Sequence, residues 1–206
     1  MRLDPLPPPD RLLLPADGKL LLTGAGNELH TLLAERLRAE GWEVVPLDLQ
    51  RLADEEAIAE AVANLDGVAA LIHLEPPDGG ADRFPAAARA RLKALFLLAK
   101  HLQPHLGGEA HPRPAFLVAT QVDGRLGLTG AGTSSPLVGG YAGLTKSLAL
   151  EWPRALCRTV DFDPALPPDR QAALLHAEFG DPDRRVREVA WNAEGRFTLI
   201  AEEVRR

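Results

Sequence analysis

Residues 19–30 of this chain, KLLLTGAGNELH, combine an apolar run, a glycine turn and the start of an amphipathic segment. This pattern predicts a buried strand that turns directly into a helix. In a parallel α/β sheet, such a turn is where a pyrophosphate binds, against free backbone N–H groups at the positive end of the helix. The segment therefore favours folds built on strand–turn–helix units, and it places a first candidate site at Thr23, Gly24 and Gly26.

Two residues of the turn argue against phosphate binding. Glu28 and His30 occupy the positions where a dinucleotide-binding turn carries its second and third glycines. A carboxylate at Glu28 repels an anion, and a side chain at His30 keeps the helix from lying close to the strand. Asp48 ends the second predicted strand, where such a fold places the acid that binds a ribose hydroxyl and favours NAD over NADP. A surface residue at a strand end is the simpler explanation of Asp48, and we expect the loop to be vestigial and to hold no cofactor.

Strand and helix patterns alternate along the rest of the chain. Apolar runs predict strands at 20–22, 42–47, 68–74, 115–119 and 157–162, amphipathic segments predict helices at 29–37, 54–64, 85–102, 139–151 and 169–179, and 186–204 predicts one or two strands. Strands that alternate with helices build a parallel sheet with helices on both faces. We therefore predict one truncated, Rossmann-like, doubly wound α/β domain over residues 19–206, preceded by a Pro-rich lead-in over residues 1–18.

Composition excludes several classes of function. The chain has 206 residues and a net charge of −6 with both signs interspersed, which predicts no basic surface for nucleic acid. The single Cys157 excludes an internal disulfide and fits a reducing compartment. No apolar run approaches the roughly 20 residues of a membrane-spanning helix, and His101, His105 and His111 have no organised partners for a metal. We expect a cytoplasmic protein without a metal site.

Four phrases, in the right order and spacing, resemble short-chain dehydrogenases/reductases over residues 19–164. The first comprises residues 22–26 together with residues 33–37, and the other three are residues 91–98, 116–124 and 143–151. A closer resemblance is to the structural half of ketoreductase domains in modular polyketide synthases, particularly those of polyunsaturated fatty acid synthases. The phrases that carry it are 41–45, 71–74, 144–153, 157–158, 188–189 and 195–196. This resemblance implies a truncated half that binds no cofactor and a second half that performs the reduction.

The family's catalytic residues are all replaced here. Its catalysis uses a Tyr that protonates the carbonyl, a Lys four residues later, a Ser that orients the substrate and an Asn in a proton relay. In the register of the resemblance, Gln121 stands at the Ser position, Ser134 at the Tyr position and Val138 at the Lys position. Arg91 stands at the Asn position. Since a valine carries no cation and a serine is a far weaker proton donor than a phenol, we predict no catalytic residue.

Tyr141 and Lys146 are an alternative catalytic pair, but they lie five residues apart rather than four. Four helical steps separate two side chains by about 40°, whereas five separate them by about 140°. The two side chains therefore point to different faces of the predicted helix. The simpler interpretation is that Tyr141 packs beside Leu144 and Leu148 while Lys146 is solvated.

Two function hypotheses follow, and a third has no residue to specify it. The first is a non-catalytic scaffold that docks on and stabilises a catalytic half, which uses NADPH to reduce a β-ketoacyl thioester in polyketide or polyunsaturated fatty acid biosynthesis. Helices 86–102 and 139–151 are its candidate surfaces for that partner, for a larger synthase or for a homodimer. The second is an NADH- or NADPH-dependent reductase with a rearranged site of Tyr141, Lys146 and Gln121. The third is a domain that binds another small ligand at the switch point of the sheet.

Overall fold

A computed structural model describes residues 1–10, 17–24, 26–52, 54–77, 84–129 and 135–201. Within them the elements are β1 Arg2–Leu6, β2 Lys19–Thr23, α1 Glu28–Ala39, β3 Glu43–Leu47, α2 Glu55–Ala63, β4 Val68–Leu74, α3 Ala86–Leu102, β5 Ala115–Thr120, α4 Val138–Glu151, β6 Leu156–Phe162, α5 Pro168–Phe179, β7 Glu188–Asn192 and β8 Gly195–Ile200. A π-helical turn, Gln103–Gly107, extends α3. The strands and helices predicted from the sequence are all present, and from β2 to α5 their ends differ by no more than two residues.

All of these strands form one sheet in the order β1-β8-β7-β6-β5-β4-β2-β3. The strands from β3 to β7 in this order are parallel, whereas β8 and β1 are antiparallel to their neighbours. Counted along the chain, the parallel strands follow the order 2-1-3-4-5-6, so the winding reverses between β2 and β4. Compared with the dinucleotide-binding order 3-2-1-4-5-6, the outermost strand beyond β3 is missing from the described residues. The predicted fold, a truncated and doubly wound sheet, is confirmed.

The lead-in contributes an edge strand to this sheet. Arg2–Leu6 pairs with β8 along its whole length, with Leu3 opposite Leu199 and Pro5 opposite Phe197. The extended backbone predicted for the lead-in is present, but these five residues are part of the sheet rather than a separate segment. The reason is that Leu6 packs against the core next to β8, which an isolated proline-rich stretch would not achieve.

Apolar side chains on both faces of the sheet hold the helices. Helices α1 and α5 cover one face, where Leu33 and Leu175 belong to the same buried cluster. Helices α2, α3 and α4 cover the other face, where Ile58, Leu95 and Leu148 belong to a second cluster. This arrangement leaves the carboxyl ends of the parallel strands at one edge, above which the candidate site lies.

A buried cluster of four charged side chains joins the C-terminal hairpin to α5. Arg158 on β6 and Arg196 on β8 both contact Glu178 near the end of α5 and Asp181 just beyond it, with N–O distances of 2.5–2.9 Å. The indole Nε1 of Trp191 also donates to Glu178, at 2.7 Å. Because two guanidinium groups face two carboxylates, the buried cluster carries no net charge, and removing one member leaves an uncompensated charge.

We expect Arg158→Ala to lower the free energy of unfolding by about 3–5 kcal/mol, because Glu178 and Asp181 then share a single guanidinium in a buried site. Urea unfolding followed by circular dichroism measures the loss. The matched control is Arg185→Ala, which removes an arginine from an exposed pair with Asp183 and should cost little stability. Equal losses in the two variants would contradict a structural role for the buried cluster.

Candidate functional site

The glycine turn after β2 is shaped by its contact with β4. Gly24 and Gly26 have φ angles of 90° and 105°, in the left-handed region. A Cβ on Gly24 would lie 2.0 Å from the carbonyl oxygen of Leu74, so only glycine lets the turn pass β4 at this distance. No atom of the described residues lies within 4 Å of a Cβ built on Gly26, so at this position the backbone conformation alone favours glycine. Close packing therefore explains Gly24 without a phosphate.

One backbone N–H at the N-terminus of α1 is capped by the helix's own Asn27. The Asn27 side-chain oxygen accepts the backbone N–H of His30 at 2.8 Å, and Glu28 adds a negative charge to the first turn. A phosphate at this terminus would compete with Asn27 for N–H groups and would meet the Glu28 charge. Burial lowers the pKa of His30, partly opposed by a hydrogen bond to the Leu22 backbone. The turn therefore holds a neutral imidazole and a carboxylate where a pyrophosphate would bind.

A crevice of about 220 Å³ lies at the switch point between β2 and β4, lined by Gly24, Gly26, Asn27, Asp48, Leu49, Gln50, His73, Pro76 and Arg91. Pockets for drug-sized ligands hold roughly 300–1,000 Å³, so this crevice is small for a dinucleotide. The Asp48 carboxylate accepts the N–H of Gln50 at 2.9 Å and lies 3.3 Å from Nε of Arg51. Asp48 is thus engaged in its own turn, as the simpler interpretation of the sequence predicted.

The base of the crevice is a buried polar network centred on Glu75, the residue after β4. One oxygen, Oε1, accepts from Nη2 and Nε of Arg91 at 2.6 and 3.0 Å. The other, Oε2, accepts from the Tyr141 hydroxyl at 2.5 Å and from Nε2 of His73 at 3.0 Å. With Nε2 of His73 donating there, its Nδ1 accepts the Thr23 hydroxyl, 2.6 Å away. Thr23, His73, Glu75 and Tyr141 are each at most 4% exposed, whereas the Arg91 side chain is 13% exposed, so the network is buried apart from its arginine.

Charges within the network hold Tyr141 neutral. Burial by itself raises the pKa of Glu75, but hydrogen bonds from His73, Arg91 and Tyr141 lower it below its usual value. Burial and the nearby Glu75 charge raise the pKa of Tyr141 far above its usual value. A tyrosine that protonates a carbonyl needs the opposite shift, towards the working pH. Tyr141 is therefore a hydrogen-bond donor to a carboxylate in this arrangement.

The structure separates the alternative catalytic pair. Tyr141 is buried and contacts Glu75, whereas Lys146 is half-exposed and lies 3.2 Å from Glu188 on β7. Their different faces agree with the five-residue spacing. The sequence predicted that Lys146 is solvated. It predicted neither the ion pair of Lys146 with Glu188 nor the hydrogen bond from Tyr141 to Glu75. Glu75 itself was missed, although a carboxylate directly after a strand that is apolar except for His73 was a signal in the sequence.

A second cavity, of about 410 Å³, lies beside α4 at the carboxyl ends of β5 and β6. Val138 and Lys146 line it together with Asp161, while Gln121 follows β5 nearby and Ser134 lies outside the described residues. The Asp161 carboxylate accepts the N–H groups of Val122 and Leu126 at 2.7 and 3.0 Å, and burial raises its pKa to about 6. Asp161 thus fixes the loop that rims the cavity, including Leu126 at a φ of 58°.

The described residues show no metal-ligand cluster and no membrane-spanning helix. No three His, Cys, Asp or Glu side chains in these ranges lie close enough together to hold a metal ion. Likewise, none of the described helices is both long and apolar enough to cross a bilayer.

Comparisons with known proteins identify the fold. No protein-family model matches the chain. A short-chain dehydrogenase from Burkholderia cenocepacia J2315, solved with NADP, superimposes with a TM-score of 0.62 and 17% identity, over 88% of this chain and 91% of that one. An oxidoreductase of the same family from Brucella ovis gives 0.61 and 19% identity, over 85% of this chain and 100% of that one. The chain therefore has the short-chain dehydrogenase/reductase fold, as its resemblance to that family implied.

A sequence relative supports the closer resemblance. One of the polyunsaturated fatty acid synthase subunits of Thraustochytrium sp. is 30% identical over 226 aligned residues, which cover 94% of this chain. The chain spans only 8% of the length of that relative. It is therefore similar to one segment of a large synthase chain.

We expect Glu75→Gln to lower the free energy of unfolding at neutral pH by about 3–5 kcal/mol, because Arg91 loses its buried counter-charge. The pKa of Glu75 lies below its usual value, which is about 4.3. Its contribution is complete above that pH and is lost as the pH falls through the lowered pKa. The difference in the free energy of unfolding between wild type and variant should thus become smaller in acid, as measured by urea unfolding at a series of pH values. Glu56→Gln, at an exposed position, is the control, and a pH-independent gap would contradict the prediction.

Proposed function

We propose that this chain is a ketoreductase-like structural domain of a polyketide or polyunsaturated fatty acid synthase. In this proposal it performs no reduction, and it docks on and stabilises a catalytic half that uses NADPH to reduce a β-ketoacyl thioester. The observation that carries the proposal is the buried network around Glu75, which ties Arg91 and Tyr141 together at the switch point of the sheet. The similarity to a segment of a polyunsaturated fatty acid synthase supplies the biosynthetic context.

The charges of the crevice disfavour a dinucleotide. The Asp48 carboxylate lines it and Glu28 adds a negative charge to the first turn of α1, next to Asn27, so a pyrophosphate would be repelled by both. Arg91 lines the crevice, but its guanidinium is bound to Glu75 at 2.6 Å. Binding a dinucleotide there would require breaking this buried ion pair, which opposes binding.

The groove between α3 and α4 is the surface we assign to the partner. It has a volume of about 750 Å³ and is lined by Leu92, Phe96, Ala99, Leu137, Leu144, Leu148 and Trp152, with polar residues among them. Phe96 is 54% exposed, and Leu150, farther along α4, is 72% exposed. Large apolar side chains exposed around a groove mark an interaction surface. The catalytic half is the occupant that the synthase context supports.

Both edges of the sheet are protected against strand pairing. Pro5 lies in the edge strand β1 and Pro46 in the opposite edge strand β3. A proline removes one backbone donor from an edge, which discourages the addition of a further strand. This supports docking through the helices α3 and α4 rather than through the edge strands β1 and β3.

We expect the chain to form a stable complex with the catalytic reductase segment of its synthase, detected by size-exclusion chromatography. Phe96→Glu should abolish the complex, because it places a charge in the apolar groove, without unfolding the chain. Leu128→Glu is the matched control, since Leu128 is 45% exposed in the loop after β5 and lies outside the groove. No complex with the wild-type chain, or equal loss in both variants, would contradict the assigned surface. A homodimer that Phe96→Glu dissociates would assign the groove to a second copy instead.

The competing function is an active NADH- or NADPH-dependent reductase. Two observations favour it: the fold is shared with a dehydrogenase solved with NADP, and the 410 Å³ cavity beside α4 has room for a small substrate. In that case Tyr141, Lys146 and Gln121 would be the reacting groups, although the first two do not meet.

We expect neither NADH nor NADPH to bind, so that thermal unfolding of the chain is unchanged by either nucleotide. Binding at 100 times Kd would raise stability by about 2.7 kcal/mol, which is easily detected. AMP at the same concentration is the control for non-specific effects. A saturable shift with either dinucleotide, absent with AMP, would favour the reductase.

A further inference from the structure

Three arginines precede three neighbouring strands at the edge of the sheet opposite the crevice. Arg113 lies two residues before β5, Arg154 two residues before β6 and Arg184 four residues before β7. Because β5, β6 and β7 are adjacent and parallel, their amino ends bring these residues to one edge. The Arg184 Nη1 donates to the carbonyl oxygen of Arg154, which places the two approaching loops in contact.

The Arg113 guanidinium is partly buried and incompletely paired. Its Nη2 donates to the backbone carbonyl of Asp181, whereas Nη1 is buried without a hydrogen-bond partner in the part of the chain that the structure describes. Burial lowers the pKa of Arg113, and the positive charges of Arg184 and Arg158 lower it further, with Asp181 acting in the opposite direction. A buried donor without a partner points to a missing water or ion.

The carboxylates at this edge are already engaged. Asp181 contacts Arg158 and Arg196 at 2.9 and 2.5 Å. Glu109 pairs with Arg154 at 3.0 Å and is 88% exposed. Asp17 pairs with His111 at 2.7 Å, and the Nδ1 of His111 accepts the backbone N–H of Arg113.

Within the described residues, neither Arg113 nor Arg184 has a salt bridge to a carboxylate. Neither of these two guanidinium groups thus has a paired counter-charge within the described residues, although the chain as a whole carries a net charge of −6. An anion from solution is the simplest source of that counter-charge.

We propose that Arg113 and Arg184 form a binding site for a phosphate oxyanion, either inorganic phosphate or the terminal group of a phosphate monoester. Guanidinium groups present several N–H donors in a plane and match oxyanions in paired hydrogen bonds. A phosphate held by both guanidinium groups supplies the missing charge. The site uses none of the residues of the crevice or of the groove between α3 and α4, so it goes beyond the proposed docking function.

The test is a titration of the full chain with sodium phosphate, followed by isothermal calorimetry and ³¹P NMR, with sodium chloride at equal ionic strength as reference. Saturable binding is expected for the wild type. Arg184→Ala should weaken it about tenfold or more, which corresponds to the loss of one hydrogen bond to a charged group. Arg185→Ala is the matched control, because it removes the same charge from the neighbouring residue, which pairs with Asp183, and it should leave the affinity unchanged.

Arg113→Met, checked for folding by circular dichroism, should abolish saturable binding. If that variant does not fold, Arg184→Ala still decides, since Arg184 is exposed. Glycerol phosphate that binds as well as inorganic phosphate assigns the site to a monoester, whereas binding of inorganic phosphate alone assigns it to the free ion. The proposal is overturned if phosphate shows no more saturable binding than chloride does. It is also overturned if Arg184→Ala and Arg185→Ala weaken the binding equally. Neither result depends on whether the chain docks on a reductase.

Discussion

The ionised Glu75 carboxylate connects four elements of the domain. It follows β4, pairs with Arg91 on α3, accepts from Tyr141 on α4, and reaches Thr23 at the end of β2 through His73. A buried carboxylate needs this many donors, because removal from water disfavours its charge. The same contacts tie α3 and α4, the two helices that border the groove, to the sheet.

This dependence gives a physical reason for the loss of catalytic chemistry under the proposed function. A reductase that used Tyr141 would need a cation beside it, and here burial and the facing Glu75 carboxylate raise the pKa of Tyr141. The arginine that replaces the family's asparagine neutralises that carboxylate. Arg91 thus contributes to the stability of the network, and the exposed apolar groove is the surface that the proposed function assigns to a partner.

Much of the fold was accessible from local patterns. Burial imposes a period and a composition on each segment. The strand β4 was therefore predicted from its run of seven apolar or buried residues, and α1 from the helical spacing of Leu29, Leu33 and Leu37. The strand Arg2–Leu6 was missed, since its five residues include a proline and its identity comes from pairing with β8, almost two hundred residues away. The ion pair of Lys146 was missed for the same reason, because Glu188 joins it only through the position of β7.

The sequence by itself determined the alternation of strands and helices, the tight glycine turn after the first buried strand, and the absence of the family's residues at Gln121 and Val138. These follow from neighbours within a few positions, where backbone geometry and side-chain type are sufficient. The tertiary structure alone decided that Glu75 meets Arg91 and Tyr141, which lie 16 and 66 residues farther along the chain. Such contacts depend on which strands are adjacent and which helices cover them, and that order is set by how the whole chain buries its apolar surface.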